Sequence, residues 1–320
     1  MSKRMSNSLS LIDSAHGGEG WIERGTLHIQ ELGNIWACCG VTKESSNLRH
    51  VLLRRPGKEI ENKTSASDLL WTDILDPVKA REQHDNLANI YREHGVIVDY
   101  IEGEYERFPN LMFVRDLFTM TPQGAILSRM ASDIRKGEEQ LVAKKLIDLK
   151  IPIIATPFND MLLEGPDIVI INEDLVFLGM GIRTNLRALD YIEIILKEMG
   201  FTEIVKIQTT YGCGHLDGVF NILTPKTAVL VPKRASYLLY SYLKRHGFDI
   251  IELSNTHEVD KYMAINFVSI DQETILINKG SRDCLKIYQN HNVRCIEVDV
   301  SELMKGGGAV HCLTGVIHRN

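Results

Sequence analysis

The feature that most constrains the fold is a recurring order of short elements: an apolar strand, a turn, a second strand, an amphipathic helix and a third strand. The order recurs five times from about residue 49, at a period of roughly 45–50 residues. In the third copy, residues 167–171 and 175–179 are predicted as strands around a turn at 172–174. A helix over 186–199 ends at Gly200, and strand 204–207 closes the unit.

The other copies repeat this order with small variations. A single unit cannot bury both its helix and its sheet, whereas five units around an axis can close around a central channel. We therefore predict a five-bladed, pseudo-symmetric α/β-propeller of ββαβ repeats; the alternative is an ordinary α/β sheet. The predicted elements are 49–53, 77–93 and 96–98; 111–114, 125–127, 137–149 and 151–155; 219–223, 228–231, 236–246 and 250–251; 265–269, 275–277, 283–290 and 294–298.

The repeat also suggests the domain organisation. Residues 49–320 are predicted to form one catalytic domain, and residues 1–48 an N-terminal extension that packs on it. Met1–Ser10 contains Lys3 and Arg4 but no sustained apolar stretch, so it does not resemble a secretion signal.

Composition narrows the classes of partner. A net charge of −6 gives no reason to expect a nucleic-acid or membrane partner. The six cysteines form no CxxC pair and no metal-binding spacing, which favours free thiols in a reducing cytoplasm. We therefore predict a cytoplasmic protein with no metal and no organic cofactor.

The segment Gly306-Gly307-Gly308-Ala309-Val310-His311-Cys312 contains the strongest candidate for chemistry. Three successive glycines leave a bare, conformationally free backbone. A thiol beside such a loop is a candidate nucleophile, because nearby N–H groups can favour the thiolate and a substrate can approach closely. The sequence alone leaves the role of His311 open, between tuning the thiolate and facing solvent.

Acidic and basic side chains occur where predicted strands end. Asp116 follows an apolar run, Glu164 precedes the third copy, and His215 and Asp217 precede the fourth. If residues 215–217 are extended, His215 and Asp217 point the same way. In a ring of repeats these strand ends converge, so we expect the four side chains to meet near Cys312.

Such a cluster has a specific chemical preference. Carboxylates held close together need a cation between them, and a planar guanidinium suits a pair of carboxylates. A thiolate can attack the guanidinium carbon, while His215 serves first as acid and then as base. The sequence therefore predicts a small guanidino compound as substrate.

Several segments, taken in order, resemble the guanidine-modifying (pentein) superfamily, which includes arginine deiminases, amidinotransferases and dimethylarginine dimethylaminohydrolases. The resemblance covers about residues 49–320. It is found in Asn110-Leu111-Met112-Phe113-Val114-Arg115-Asp116, Glu164-Gly165-Pro166-Asp167, Gly179-Met180-Gly181-Ile182-Arg183-Thr184, His215-Leu216-Asp217, Met263-Ala264-Ile265-Asn266 and the segment ending in Cys312.

The resemblance implies a role for each matching residue. Cys312 is the nucleophile, His215 the general acid and base, and Glu164 an aid to proton movement. Asp116 and Asp217 bind the guanidinium. Arg183 and Arg135 bind the carboxylate of the substrate, and Asn110 contacts its amino group. Gly308 lies beside the substrate.

The resemblance leaves the fate of the amidino group open. Hydrolysis of L-arginine to citrulline and ammonia is the leading expectation. The ending Gly307-Gly308-Ala309-Val310-His311-Cys312-Leu313-Thr314 is closer to amidinotransferases, which pass the group to an acceptor amine. Hydrolysis to ornithine, and a non-enzymatic ribosome anti-association factor of the same fold, are further alternatives. A homodimer is also compatible with the sequence.

Overall fold

The computed structural model describes residues 12–320, and this range forms five three-stranded sheets. In the second to fifth sheets the middle strand pairs antiparallel with the strand before it and parallel with the strand after it, which follows a helix. These sheets are the blades that the repeat predicts. The strands are β1 Leu48–Leu53, β2 Ile97–Tyr100, β3 Phe118–Thr121, β4 Gly124–Leu127, β5 Ile153–Ala155, β6 Ile168–Ile170, β7 Leu175–Met180, β8 Glu203–Gln208, β9 Phe220–Thr224, β10 Thr227–Leu230, β11 Asp249–Glu252, β12 Val268–Ser269, β13 Thr274–Asn278, β14 Arg294–Val298 and β15 Gly315–Arg319.

The helices begin where the sequence provides capping residues. Asp76 accepts hydrogen bonds from the backbone N–H groups of Val78 and Lys79, Asn185 caps Ala188, and Ser236 caps Leu239. Five of the helices each link two parallel strands of a blade; they cover residues 77–93, 138–148, 186–198, 237–245 and 282–290. The helices are α1 His28–Glu31, α2 Pro77–Glu93, α3 Glu138–Asp148, α4 Leu186–Glu198, α5 Tyr237–Arg245, α6 Thr256–Lys261, α7 Arg282–Asn290, α8 Ser301–Met304 and α9 Val310–Leu313.

The apolar core lies largely between neighbouring blades. One buried cluster joins β4 to the third blade and α4, a second joins the third and fourth blades, and a third joins the fourth and fifth. The rings of Phe177 and Phe220 illustrate this contact, edge to face with centroids 5.6 Å apart. Each blade therefore depends on its neighbours for burial, as a repeat architecture requires.

The first blade differs from the prediction. The predicted copy had only the strands at 49–53 and 96–98, and its third strand comes from the other end of the propeller: β15 pairs antiparallel with β1, while β2 pairs with β1 in parallel. The backbone groups of Asn47 and Asn320 also exchange two hydrogen bonds, of 2.9 and 3.0 Å. Both ends of the propeller therefore share one sheet, which closes the ring.

The predicted strand at 111–114 is also wrong. This apolar segment is a buried turn followed by a 3-10 turn over Val114–Leu117, and the strand begins at Phe118. The carbonyls of Asn110 and Phe113 accept from the guanidinium of Arg135 instead of from a neighbouring strand. A buried cation thus replaces the ladder hydrogen bonds that a strand would need.

Residues 12–47 precede β1 and contact several blades. The backbone N–H of Gly40 donates to Ile317, that of Val41 to Thr121, and that of Glu44 to Ile170. Gly40 has φ +129°, which favours glycine at this position. The prediction for Met1–Ser10 lies outside the described residues. Across residues 12–320, no helix combines the length and apolarity that crossing a membrane requires.

Candidate functional site

A pocket of about 120 Å³ brings together seven of the nine predicted site residues. We call it the reaction pocket. Glu164 and Asp217 are the two that do not line it. Both are buried: Glu164 binds His215, which lines the pocket, and Asp217 binds His311, the residue before Cys312. The lining residues are Leu70, Asn110, Phe113, Asp116, Arg135, Arg183, Gly214, His215, Gly306, Gly307, Gly308 and Cys312.

The glycine tract lets the chain pack tightly beside Cys312. A Cβ at Gly306 would lie 2.7 Å from Cε of Met112, and one at Gly308 would lie 2.6 Å from Cε1 of Phe113. Gly307 has φ +91°. The glycines are therefore required by close packing against Phe113 and by one left-handed backbone position.

Cys312 lies in the short helix α9 and is held by Asn266. The side-chain N–H of Asn266 donates to Sγ of Cys312 at 3.1 Å, and its Oδ1 accepts from the backbone N–H of His311 at 2.8 Å. Burial, together with the charges of Asp217 and Asp116, raises the pKa of the Cys312 thiol well above its ordinary value. The thiol form is therefore favoured unless a cation approaches.

His215, which is partly exposed to the pocket, pairs with the buried carboxylate of Glu164. Its Nε2 donates to Oε2 of Glu164 at 2.8 Å. Burial opposes the imidazolium, but the hydrogen bond from Glu164 and the surrounding carboxylates outweigh it and raise the pKa of His215. The same pairing lowers the pKa of Glu164 despite its burial. At neutral pH the pair is an imidazolium beside a carboxylate, so His215 can donate a proton.

Glu164 has two further contacts. Its Oε1 accepts from the backbone N–H of Ala131 at 3.1 Å, and Nη1 of Arg183 lies 3.3 and 3.4 Å from its two oxygens. The long contacts to Arg183, a partly exposed side chain, leave that guanidinium available to another anion.

Asp116 presents a buried oxygen without a partner. Its Oδ2 accepts from Nη1 of Arg135, whereas Oδ1 has no hydrogen-bond partner among the described residues. Arg135 is buried and also binds Glu138 and two backbone carbonyls. Most of its N–H groups are thus engaged, and Arg183 is the more available of the two predicted carboxylate-binding arginines.

Asp217 pairs with the residue that precedes the candidate nucleophile. Nδ1 of His311 donates to Oδ2 of Asp217 at 2.7 Å, and both side chains are buried. Burial opposes the carboxylate, but the hydrogen bond from His311 lowers the pKa of Asp217. The expectation of an extended 215–217 segment is wrong, because Leu216–Gly218 forms a 3-10 turn. This turn directs His215 to Glu164 and Asp217 to His311.

Asn110 also has its side-chain amide engaged. Its Oδ1 accepts from Nε1 of Trp71 at 2.7 Å, and its Nδ2 donates to the carbonyl of Leu69 at 2.8 Å. Both contacts tie the loop before Asp73 to the pocket, and they place Leu70, with φ +61°, in the lining.

Sequence reasoning assigned no role to Asn266 or Asp167. Asp167 accepts from Thr184 Oγ1 at 2.6 Å and from the backbone N–H of Leu216 at 2.9 Å. It therefore joins the loop of Arg183 to the loop of His215, and its burial raises its pKa to about 6. A single polar residue inside an apolar run, as in Ala264-Ile265-Asn266-Phe267, was the signal available in the sequence.

Among the described residues, one group has a spacing that a metal ion could bridge. Ligand atoms of Asp116, Glu164 and His215 all lie within 4.8 Å of one another. The same carboxylates already contact Arg135 and Arg183, so guanidinium groups provide the local positive charge. The absence of a metal requirement stays a prediction.

Several known proteins are similar to this chain in sequence, and solved structures are similar to it in fold. The chain is 29% identical over 275 residues to the uncharacterized protein YkgA of Bacillus subtilis, covering 85% of this chain and 92% of YkgA. It is 26% identical over 274 residues to N(G),N(G)-dimethylarginine dimethylaminohydrolase of Pseudomonas aeruginosa, covering 83% and 98% of the two chains. An amidinotransferase structure from Microseira wollei superposes with a TM-score of 0.71 at 15% identity, covering 88% of this chain and 97% of that one.

These similarities agree with the five-bladed propeller and with an enzyme that acts on guanidino C–N bonds. Residues 59–319 match the family described as N,N dimethylarginine dimethylhydrolase, eukaryotic. The chain therefore belongs to that family, within the pentein superfamily of guanidino-modifying hydrolases and amidinotransferases.

Proposed function

We propose that the protein hydrolyses the guanidinium group of L-arginine or a close analogue through a covalent adduct with Cys312. The observation that carries this proposal is the buried, unpartnered Oδ1 of Asp116 in the same small pocket as Cys312 and His215. A buried carboxylate oxygen needs a cationic donor, and a guanidinium provides both the charge and the N–H groups.

Substrate binding prepares the nucleophile. The charges of Asp217 and Asp116 disfavour the thiolate of Cys312, and an arriving guanidinium offsets those charges. The thiol then loses its proton to solvent, and the thiolate lies next to the guanidinium carbon. The substrate thus activates the group that attacks it.

The reaction then proceeds in two halves. The Sγ–C bond forms, the imidazolium of His215 donates its proton to one nitrogen, and the C–N bond breaks to release ammonia. Neutral His215 next takes a proton from water, the hydroxide adds to the amidino carbon, and the C–S bond breaks. Citrulline leaves, the spare proton of the amidino group converts ammonia to ammonium, and His215 is again an imidazolium. The thiolate of Cys312 then takes back from solvent the proton that the thiol had lost.

The remaining predicted residues hold the other end of the substrate. Arg183 binds the carboxylate, supported by its exposure and its long contacts to Glu164. Arg135 does not contact the substrate in this proposal; it holds the carboxylate of Asp116 in position. Asn110 and Gly308 contact the substrate chain within the pocket, and we expect the reaction in the cytoplasm without a cofactor.

Amidino transfer is the second candidate function, favoured by the Gly307–Thr314 segment. An acceptor amine would then replace water in the second half of the reaction. The family description adds N,N-dimethylarginine as a candidate substrate, which would release dimethylamine. Hydrolysis to ornithine ranks third. A non-enzymatic role as a ribosome factor is disfavoured, because the characterised proteins to which this chain is similar are enzymes.

One incubation distinguishes these outcomes. The protein is given L-arginine or N,N-dimethylarginine, with and without glycine as acceptor, and citrulline, ornithine, ammonia and dimethylamine are measured. Citrulline formed without glycine supports hydrolysis, whereas product formed only with glycine supports transfer. Cys312→Ser should abolish turnover, and full turnover in that variant would contradict the mechanism.

A further inference from the structure

A second, larger cavity adjoins the reaction pocket. We call it the outer cavity; it has a volume of about 850 Å³ and lies between loops 180–186 and 208–214. Arg183 and Gly214 line both cavities, so the two lie side by side. The reaction pocket alone falls below the usual size of ligand sites, about 300–1,000 Å³, whereas the outer cavity lies within that range.

The fold builds the outer cavity where two parallel strands end. Met180 of β7 is paired with Gln208 of β8, and beyond them the chain departs in different directions. The floor is fixed, because the carbonyl of Met180 accepts from the Thr209 N–H at 2.9 Å, from Thr209 Oγ1 at 3.1 Å and from Gln208 Nε2 at 2.9 Å. Crevices at the carboxyl ends of such strands are common ligand sites.

The walls favour a neutral, partly apolar group. Ile182, Leu186 and Tyr211 are large apolar or aromatic side chains that are exposed at this cavity. Among its described lining residues Arg183 is the only charged one, and it lies at the junction with the reaction pocket. A carboxylate is therefore favoured at the junction, and an uncharged group beyond it.

A free α-ammonium group would lack a counter-charge here. The described lining of the outer cavity contains no carboxylate, and Asp116 is the only one that lines the reaction pocket. In the proposed function Asp116 is committed to the guanidinium. The Asn110 amide, the predicted partner of the amino group, is already bound to Trp71 and Leu69. An acyl group on the amino nitrogen would remove that unpaired charge.

We propose that the preferred substrate is an Nα-acyl arginine. This inference rests on the proposed function. The guanidinium lies at Cys312, the carboxylate binds Arg183, and the acyl group occupies the outer cavity against Ile182 and Tyr211. Hydrolysis then converts an Nα-acyl arginine and water to the Nα-acyl citrulline and ammonium, by the two half-reactions already described.

The first test compares four substrates: agmatine, which lacks the carboxylate; L-arginine; Nα-acetyl-L-arginine; and Nα-benzoyl-L-arginine. We expect kcat/KM to rise in that order, with benzoyl-arginine exceeding arginine by about tenfold or more, since an aromatic ring gains apolar burial in the outer cavity. Equal or lower kcat/KM for both acyl compounds, with arginine turned over, overturns this inference and leaves the proposed function standing.

Calorimetric binding to Cys312→Ser separates the two proposals further. Tighter binding of benzoyl-arginine than of arginine supports the outer cavity even if turnover fails, and in that case the proposed reaction is the part that is wrong. No preference for benzoyl-arginine, or no binding of any of the four compounds, overturns the inference.

A matched pair of variants locates the acyl group. Tyr211→Ser should lower the ratio of kcat/KM for benzoyl-arginine to that for arginine by about tenfold, because an aromatic contact is lost. The control, Tyr237→Ser, removes an exposed tyrosine at the start of α5 and should leave the ratio unchanged. An unchanged ratio in Tyr211→Ser contradicts the placement.

Discussion

Two histidine–carboxylate pairs flank Cys312, and their contacts are almost identical. His215 lies 2.8 Å from Glu164, and His311 lies 2.7 Å from Asp217. They differ in where the ring faces: His215 lines the reaction pocket, whereas His311 does not and is buried beside the nucleophile. The same local chemistry can therefore exchange protons with a substrate in one place and hold a carboxylate in position in the other.

The largest expected difference between the pairs is in turnover. His215→Asn should lower kcat by about 10²–10⁴-fold, because the group that gives and takes the proton is lost. His311→Asn should cost less than about tenfold, since the asparagine amide can still donate to Asp217 near the position of Nδ1. Steady-state kinetics of both purified variants measures the difference, and similar losses would remove the distinction between proton transfer and positioning.

The pH profile should depend on only one pair. Glu164 raises the pKa of His215, so His215 stays protonated above neutral pH and activity falls as the pH rises through that raised pKa. In Glu164→Gln the descending limb of kcat against pH should move to lower pH. His311→Asn is the control, and its limb should stay where it is in the unmodified protein. An unshifted limb in Glu164→Gln would mean that another group titrates there.

The pair of His311 and Asp217 should contribute to the free energy of unfolding. His311→Gln places its N–H farther from Asp217 than the native Nδ1, leaving a buried carboxylate without its donor. We expect a loss of about 2–3 kcal/mol in the free energy of unfolding. His311→Asn keeps a donor and should lose much less. Urea titration at pH 7 measures both, and equal stability of the two variants would show that the contact contributes little.

A third histidine, His84, shows what happens without a carboxylate. It is fully buried on α2, and neither ring nitrogen has a hydrogen-bond partner among the described residues. Burial lowers its pKa from 6.5 to about 3. Because the unfolded chain binds this proton first, stability contributed by neutral His84 is present above pH 6.5 and is lost as the pH falls toward 3.

His84→Leu should therefore flatten the acid limb of the stability profile. Between pH 7 and pH 5 the native protein should lose about 2 kcal/mol more than the variant does. Urea titrations at the two pH values measure this difference. Equal losses would mean that His84 is hydrated or paired in solution.

The sequence predicted the parts of the site that depend on residue type and order. The repeat indicated the blades, and the glycine tract with the ordered acids and arginines indicated Cys312, His215 and Glu164. The hydrogen-bond partner of each side chain could not be predicted from the sequence. Nothing near Asp217 in sequence distinguishes a guanidinium-binding carboxylate from one bound to His311, which is 94 residues away. Asn266 and Asp167 were missed for the same reason, because each binds one side chain and one backbone N–H that only folding brings close.

The closing sheet has a consequence for how the enzyme is made. The strand β15 follows Cys312 within three residues, and it completes the first blade only after the other four have been synthesised. A nascent chain lacking residues 315–319 therefore holds neither a closed ring nor a fixed nucleophile. The candidate nucleophile and the carboxylates around it are thus held together only after residues 315–319 have been synthesised, so we expect chains that stop before them to carry no activity.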